Sequence, residues 1–288
     1  MKTIFPSWNV YLNCYESHNS LLFFSGFYRK ILNIDYIESN IPGVYGGLLI
    51  ESDNLINIDS FDNYLKANQY KIIYSPYVKN HNMPSNGKLE TSTINLTQDN
   101  FLNKINKNHL ASIKKAENSN LEFSYVDSLD DIDRYYSLYK LSLRRWGLRA
   151  MGYYPKSLFY ELFKSKCYGE QIKLWKIMLN NRIIAGCWTL KKDNIVNYWH
   201  ACYNHQYNHF SPTHYLIYQL MIFYKNLDVK YLDLGPSAGL ENLKFFKMRF
   251  GSENKTIPTY NYIGKSLKFY NLYLHYAEKI FRKNKYSI

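Results

Sequence analysis

The stretch YLDLGPSAGLENLKFFKMRFGSE, residues 231–253, sets one carboxylate against a group of cations. Asp233 lies between Leu232 and Leu234 in an apolar run that breaks at Gly235-Pro236, and Glu241, Lys244, Lys247 and Arg249 follow a small-residue loop. A carboxylate at a strand end can accept or hold a proton at a reacting group. Cations beside it suit a phosphate-bearing partner. Side chains alternate along a strand, so two leucines facing a core send Asp233 to the opposite face. The same carboxylate can instead fix the turn that follows it, because Asp accepts hydrogen bonds from the backbone two residues on. Glu241 is a second candidate base, or an ordinary first-turn acid favoured by the helix dipole. If the helix packs through Phe245, Phe246 and Phe250, then Lys244, Lys247 and Arg249 line the edge of a cleft; a solvated helix end gives the same pattern.

The run HACYNHQYNHFSPTH supplies a second group. His200 is the third catalytic candidate, since an imidazole titrates near working pH. Tyr198, on the same strand, joins the residues expected to contact a donor or acceptor. The spacing of His200, Cys202, His205, His209 and His214 follows no zinc pattern, so no metal is expected. Ser211 as N-cap with Pro212 at the first helical position opens a helix whose unpaired N–H groups suit a phosphate, which makes Ser211 and Thr213 binding candidates. Any capped helix offers the same groups. No G-x-S-x-G, Walker loop or G-x-G-x-x-G occurs.

The elements that must position these residues are punctuated clearly. Strands are expected over 173–179, 182–192 and 195–203, with turns at Asn180-Asn181 and Lys192-Asp193-Asn194. A helix from Ser211 carries the stripe Leu216, Leu220, Phe223 and Leu227, and 229–235 is the next strand. After the cationic helix, TIPTYNYIG (256–264) reads as a hairpin. Upstream, Ser128 and Asp131 form a capping-box pattern opening a helix that ends at Arg144-Arg145 before Gly147. Residues 97–118 read as one helix capped by Thr97, with Leu102, Ile105, His109 and Ile113 on its stripe. Residues 118–128 link the two helices, and a boundary near Asn120 divides the chain into 1–120 and 121–288. In the first half, 20–30, 45–52, 70–77 and 90–96 are strand-like. From Lys255 onward, seven basic residues face one acidic residue, Glu278, in a basic amphipathic helix. Its expected place is against the domain, with contact to an anionic membrane as the second reading.

The 288 residues suit two domains, and 46% apolar composition excludes a disordered chain. A net charge of +13 favours anionic partners. The 30 tyrosines are discounted as evidence of stacking, because drift toward A- and T-rich codons enriches Tyr together with Asn, Ile and Lys. Four scattered cysteines without a C-x-x-C pair fit a reducing compartment. With neither a signal peptide nor a membrane-length apolar run in the sequence, the expected location is the cytoplasm, with peripheral contact at the inner membrane face as an extension.

Several segments resemble one family. HLASIKKAEN (109–118) is similar to the R-x-x-I-R-K-A-x helix of Fem-type aminoacyltransferases and their acetyltransferase-like (GNAT) relatives. GVYGG (43–47) resembles their Y-G-G turn, and LSLRRWG (141–147) their R-x-G. LDLGPSAGLENLKFFKMRFG (232–251) resembles their strand-end D-x-G followed by F-K-x-x-F-G. The resemblance implies an α/β fold of two tandem GNAT-like halves, each a mixed, mostly antiparallel sheet flanked by helices, with a degenerate N-terminal half. It implies acyl transfer to an amine in the second half, the acceptor being an amino sugar or peptide of a cell-envelope precursor, nucleotide- or lipid-linked. Acyl-CoA is the favoured donor and aminoacyl-tRNA the alternative. On these motifs Lys247 falls on the F-K pattern, and Arg145 on the R-x-G, where it could hold acceptor phosphate.

The departures from the family are specific. Where GNAT proteins carry a glycine-rich pyrophosphate loop, this chain has YNHFSPTH, without glycine. Where many carry a tyrosine acid, the helix offers Phe245 and Phe246. The helical insertion that some Fem proteins use beside tRNA is absent from the pattern. A non-catalytic basic nucleic-acid-binding protein is the competing class, disfavoured by dispersed basic residues and no binding motif.

Overall fold

The computed structural model describes residues 9–17, 20–31, 34–39, 44–46, 48–50, 58–67, 70–75, 83–146 and 154–262, with 264 and 269. Two compact units result, one formed by Met1–Leu89 with Thr256–Ile288 and the other by Glu90–Lys255.

In the first unit, β1 (Asn9–Ser17), β2 (Ser20–Ile31) and β3 (Ile34–Glu38) form an antiparallel meander, and β4 (Leu48–Ile50) pairs antiparallel with β2. α1 (Ile58–Ala67) leads to β5 (Tyr70–Ile73), which lies parallel to β3. Phe24, Ile37, Phe61, Leu65, Tyr70, Ile72 and Tyr74 form its core.

The second unit takes up β6 (Gly87–Asn95) from Glu90 onward. It continues through α2 (Lys107–Glu117), β7 (Glu122–Tyr125), α3 (Leu129–Trp146), α4 (Lys156–Lys164), β8 (Ile172–Leu179), β9 (Arg182–Lys192), β10 (Ile195–Tyr203), α5 (Pro212–Lys225), β11 (Tyr231–Pro236) and α6 (Glu241–Met248). Its strands run in the order β6-β11-β10-β9-β8-β7. Within this order only β10 and β11 are parallel, as the α5 crossover between them requires. One sheet face packs on α2 and α5 through Ile94, Val196, Leu232, Leu234, Ile113, Leu216 and Leu220. The other carries α3 and α4, whose Tyr135, Tyr139 and Phe159 are buried with Trp188 of β9.

The local signals explain much of this. Asn180 and Asn181 both take positive φ, 49° and 61°, as a two-residue hairpin turn demands. Ser128 Oγ accepts from the Asp131 N–H at 3.3 Å and opens α3 as expected.

Four expectations are corrected. The division falls at Leu89/Glu90 and Lys255/Thr256 rather than near Asn120. The reason is packing: Phe101, Ile105, Ile113 and Ala116 are buried in the core of the second unit. The single helix over 97–118 is two pieces, a 3₁₀ turn at Phe101–Lys104 and α2, because Asn106 interrupts it and caps α2 by accepting from the Asn108 N–H. The link over 118–128 contains β7. Residues 256–264 do not turn back as a hairpin; β12 (Glu253–Asn261) is one strand, and its Thr259–Asn261 pair with β5. Most of the basic C-terminal segment lies outside the described residues, as do Gly43 and Gly47 of the GVYGG turn. Among the described residues no helix is long and apolar enough to cross a membrane.

Candidate active site

The second unit contains a fork. β10 and β11 pair over three residues only, and the last pair is Asn197 with Asp233. Past this point β10 bulges, with Trp199 left out of register against β9. β11 turns at Gly235, whose φ of +76° is the left-handed region open to glycine. Two parallel strands thus part after Asn197 and Asp233, toward their carboxyl ends, and the chain enters the α5 crossover after β10 ends at Tyr203. In α/β sheets such a parting is where ligands enter.

Asp233 sits at the root of the fork and is completely buried. Its Oδ1 accepts from Thr91 Oγ1 at 2.5 Å and from the Gly235 N–H at 2.8 Å. The second contact is the turn-fixing bond that the sequence allowed as one of two readings. Two lysines share its surroundings. Lys255 lies over the Tyr231 ring at 4.0 Å, and burial lowers its pKa while the Asp233 charge raises it. Lys247 is buried, and its Nζ donates to the Gly235 carbonyl at 2.7 Å and the Pro236 carbonyl at 2.9 Å. Burial pushes its pKa down to about 8, with the Asp233 carboxylate working in the other direction.

The face of α6 differs from that expected at two residues, Phe245 and Lys247. Phe246, Lys247 and Phe250 turn inward and Phe245 is exposed, so Lys247 lines the turn rather than the edge of a cleft. Helical spacing explains the error: residue 247 shares a face with 250, while 245 falls on the outer side. Lys244 is half-buried and pairs with Glu90 at 2.7 Å. Glu241 is exposed in the first turn of α6.

His200 is buried in a shell of rings from Tyr135, Tyr139, Tyr154, Phe159 and Trp199. Burial lowers its pKa to about 3, so it is a neutral imidazole. Tyr135 Oη lies 2.7 Å from its Nδ1 and 2.9 Å from its carbonyl oxygen. Tyr198 points to the other sheet face, packs against the α2/α5 core, and has its hydroxyl pKa raised by burial.

Ser211 takes φ +55° and its side chain makes no cap, although Pro212 does open α5. In place of a glycine loop, a 3₁₀ turn, His205–Phe210, leads into it. Thr213 lies half-buried in the first turn of α5. The exposed Arg145 stacks its guanidinium on Tyr203, the last residue of β10, at 4.3 Å. His214 packs edge-on against His109 of α2 at 4.5 Å, and burial with that neighbour lowers its pKa to about 4. Among the described residues no three His, Cys, Asp or Glu side chains stand together as a metal site.

Asp233 and Lys247 thus meet at the turn of the fork. Tyr198 and His200 lie on β10, with Tyr198 facing the α2/α5 core, and Ser211, Thr213 and Arg145 lie beyond the carboxyl end of β10. Glu241 is exposed on α6 and Lys244 pairs with Glu90. A model of the acetyltransferase (GNAT) domain matches residues 103–247, just over half of the chain. The chain belongs to the GNAT acetyltransferase-domain family. The match covers the fork from α2 through Lys247. Among solved structures, FemX superposes with a TM-score of 0.62 at 10% identity, over 94% of this chain and 91% of that one. The C-terminal domain of a putative lysylphosphatidylglycerol synthetase from Agrobacterium fabrum gives a TM-score of 0.61 at 11% identity, covering 91% and 86%. L-PGS from Bacillus licheniformis gives 0.54 at 12%, covering 93% and 89%. At these identities the likeness is one of fold. No curated protein matches.

Sequence reasoning missed Thr91, Tyr135 and Asn197. Tyr135 was hidden among many tyrosines, and Thr91 lies 142 positions from its partner. Asn197 had a detectable signal: an amide in the middle of a strand otherwise built from apolar and aromatic residues.

Proposed function

We propose that this protein is an N-acyltransferase in which an acyl thioester, acyl-CoA, enters the fork between β10 and β11 and an amine attacks it there. The observation that carries this reading is the parting of the parallel strands β10 and β11 at Asn197 and Asp233, with α5 starting beyond it. The unprotonated amine nitrogen attacks the acyl carbonyl carbon. A C–N bond forms as the C–S bond breaks, and the displaced thiolate takes up the proton that the amine gives up, directly or through water. Backbone groups on the open strand edges suit the developing oxyanion. Arg145 and the first turn of α5 at Thr213 are the groups at the carboxyl end of β10 suited to the donor's phosphates.

Asp233 is given the part of fixing the strand end rather than taking the proton, because its Oδ1 is held by Thr91 and Gly235. The acceptor class is an amino sugar or a peptide amine of a cell-envelope precursor. The first unit is read as the degenerate GNAT-like half.

A second reading, with aminoacyl-tRNA as donor, is favoured by the glycine-free 3₁₀ turn before α5 and by the net charge of +13. The test is a melting-temperature comparison of the full chain with acetyl-CoA, free CoA and aminoacyl-tRNA, followed by mass detection of the acylated amine. A ligand at a hundred times its Kd adds about 2.7 kcal/mol of stability. Stabilisation by CoA species, weakened in Arg145→Ala, supports the first reading. Stabilisation by the tRNA species alone replaces it with the second.

A further inference from the structure

Among the described residues six buried side-chain N and O atoms lack a hydrogen-bond partner, and four of them belong to Trp188, Asn197 and His200. The four are grouped. Val196 packs on the α2/α5 core, so Asn197 faces the opposite side of the sheet. Trp199 is the bulged residue, and the bulge restores the alternation: Asn197 pairs with Leu190 and His200 with Trp188, two apart on β9. Asn197 and His200 therefore share a face at roughly 7 Å, the spacing of alternate strand residues. Without the bulge, residues three apart would point to opposite faces. Trp188 stands opposite His200 on that same face.

The chemistry of each group is defined. The carboxamide of Asn197 can donate and accept, and does neither. Tyr135 has one hydroxyl hydrogen. Given to the His200 carbonyl, it leaves the Oη···Nδ1 contact to be made by an Nδ1–H, so that Nε2 carries an unshared pair. The Asp233 carboxylate is beside Asn197 in register. Leaving such groups buried and unpaired is costly, and native chains keep few of them.

We infer that Asn197 and His200 form the seat of the acyl acceptor, recognising a primary amine whose neighbouring carbon bears a hydroxyl or a carbonyl. His200 Nε2 accepts a hydrogen from the amine, and the Asn197 carboxamide pairs with the neighbouring polar group. Tyr135 is a positioning residue that holds the imidazole in the receptive tautomer. Amino sugars and N-terminal peptide units share this chemistry. The inference rests on the transferase reading for the word acceptor, but its geometry stands without it.

The test uses the full chain labelled with ¹⁵N-histidine and two probes, glucosamine and diglycine. In the free protein His200 should show one protonated nitrogen and one bare nitrogen. Saturation with at least one probe should move the bare resonance in the hydrogen-bonded direction, and the probe that does so identifies the acceptor source. Asn197→Leu should weaken that probe at least tenfold, while the melting temperature of the free protein stays equal or rises because an unpaired polar group has gone. Tyr135→Phe should mix the tautomers and weaken the same probe. Asn197→Leu that lowers the melting temperature and leaves probe binding unchanged overturns the inference, as does a His200 resonance that neither probe moves. Acyl transfer is assayed separately. Probe binding without transfer from any donor counts against the transferase reading alone, and transfer with an unchanged KM in Asn197→Leu counts against the seat alone.

Discussion

Asp233 and Lys247 take hold of the same residue: the carboxylate accepts the N–H of Gly235 at 2.8 Å and the ammonium donates to its carbonyl at 2.7 Å. An acid at a strand end and a cationic helix behind it thus meet through one turn. The turn needs this grip because Gly235 has positive φ and β11 changes register against β6 between Asp233 and Pro236. Bending a central strand exposes peptide groups that the ladder no longer satisfies, and buried peptide groups must find partners. Two charged side chains supply them, and the fork opens as a consequence.

The first prediction separates bracing from catalysis at Asp233. Asparagine keeps a carbonyl oxygen for Thr91 and Gly235, so Asp233→Asn should fold and retain turnover within a few-fold. Asp233→Ala strands both donors and should lose about 1–3 kcal/mol, read as a fall in melting temperature. A folded Asp233→Asn protein with turnover reduced a hundredfold at unchanged binding would return the carboxylate to the role of base.

Lys247 makes a prediction about pH. Its folded pKa, about 8, lies below the ordinary value of 10.5, so between these limits the unfolded chain binds more protons than the folded one. Stability contributed by this group therefore rises with pH from about 8 to about 10.5. Wild type should gain on Lys247→Met across that interval, by an amount on the order of 3 kcal/mol. The difference between the two proteins in urea midpoint, measured at pH 7.5 and 10, cancels the tyrosines common to both. A constant or shrinking difference would show that the ammonium is not desolvated.

The second unit was legible because local chemistry fixed its elements. Asn180-Asn181, Ser128 and Pro212 each act within a few residues, and the structure begins or turns an element at each. Tertiary packing decided the rest. The boundary missed its place because nothing local says that Phe101 and Ile113 belong with Leu216 rather than with β5. The inner face of α6 was misjudged because phenylalanine was ranked above lysine for burial, whereas Lys247 has two peptide carbonyls waiting for it. Asn197 stands out in the sequence as an amide within an apolar strand, but its unpaired state and the bulge two residues on come only from the packing.

Gly251, the last residue of the F-K-x-x-F-G motif, has a steric role that can be measured. Its φ is +77°, and a Cβ there would stand 2.5 Å from the Lys104 Cβ and 3.2 Å from the Lys104 carbonyl oxygen. Positive φ and overlap with backbone act together, so Gly251→Ala should cost about 2–3 kcal/mol. Chemical denaturation should show the loss in the midpoint. A loss below half a kcal/mol would mean that the 3₁₀ turn at Phe101–Lys104 yields easily.

The last prediction concerns acid. His200, with a pKa of about 3, and His214, with one of about 4, are both held below 6.5 by burial. Their neutral forms are the folded forms. As pH falls below about 6.5 the unfolded chain takes up protons that the folded chain refuses, so stability present above that pH is lost on acidification. The two histidines together should give a slope approaching two protons per molecule between pH 6 and 4.5. Asn in place of either should reduce the slope by about one proton, whatever it does to absolute stability. Urea titrations at pH 7, 6, 5 and 4.5 measure this directly. If His200→Asn leaves the slope unchanged, the imidazole is charged inside its ring of aromatics, Nε2 has no unshared pair, and the acceptor seat would have to bind an anion instead of an amine.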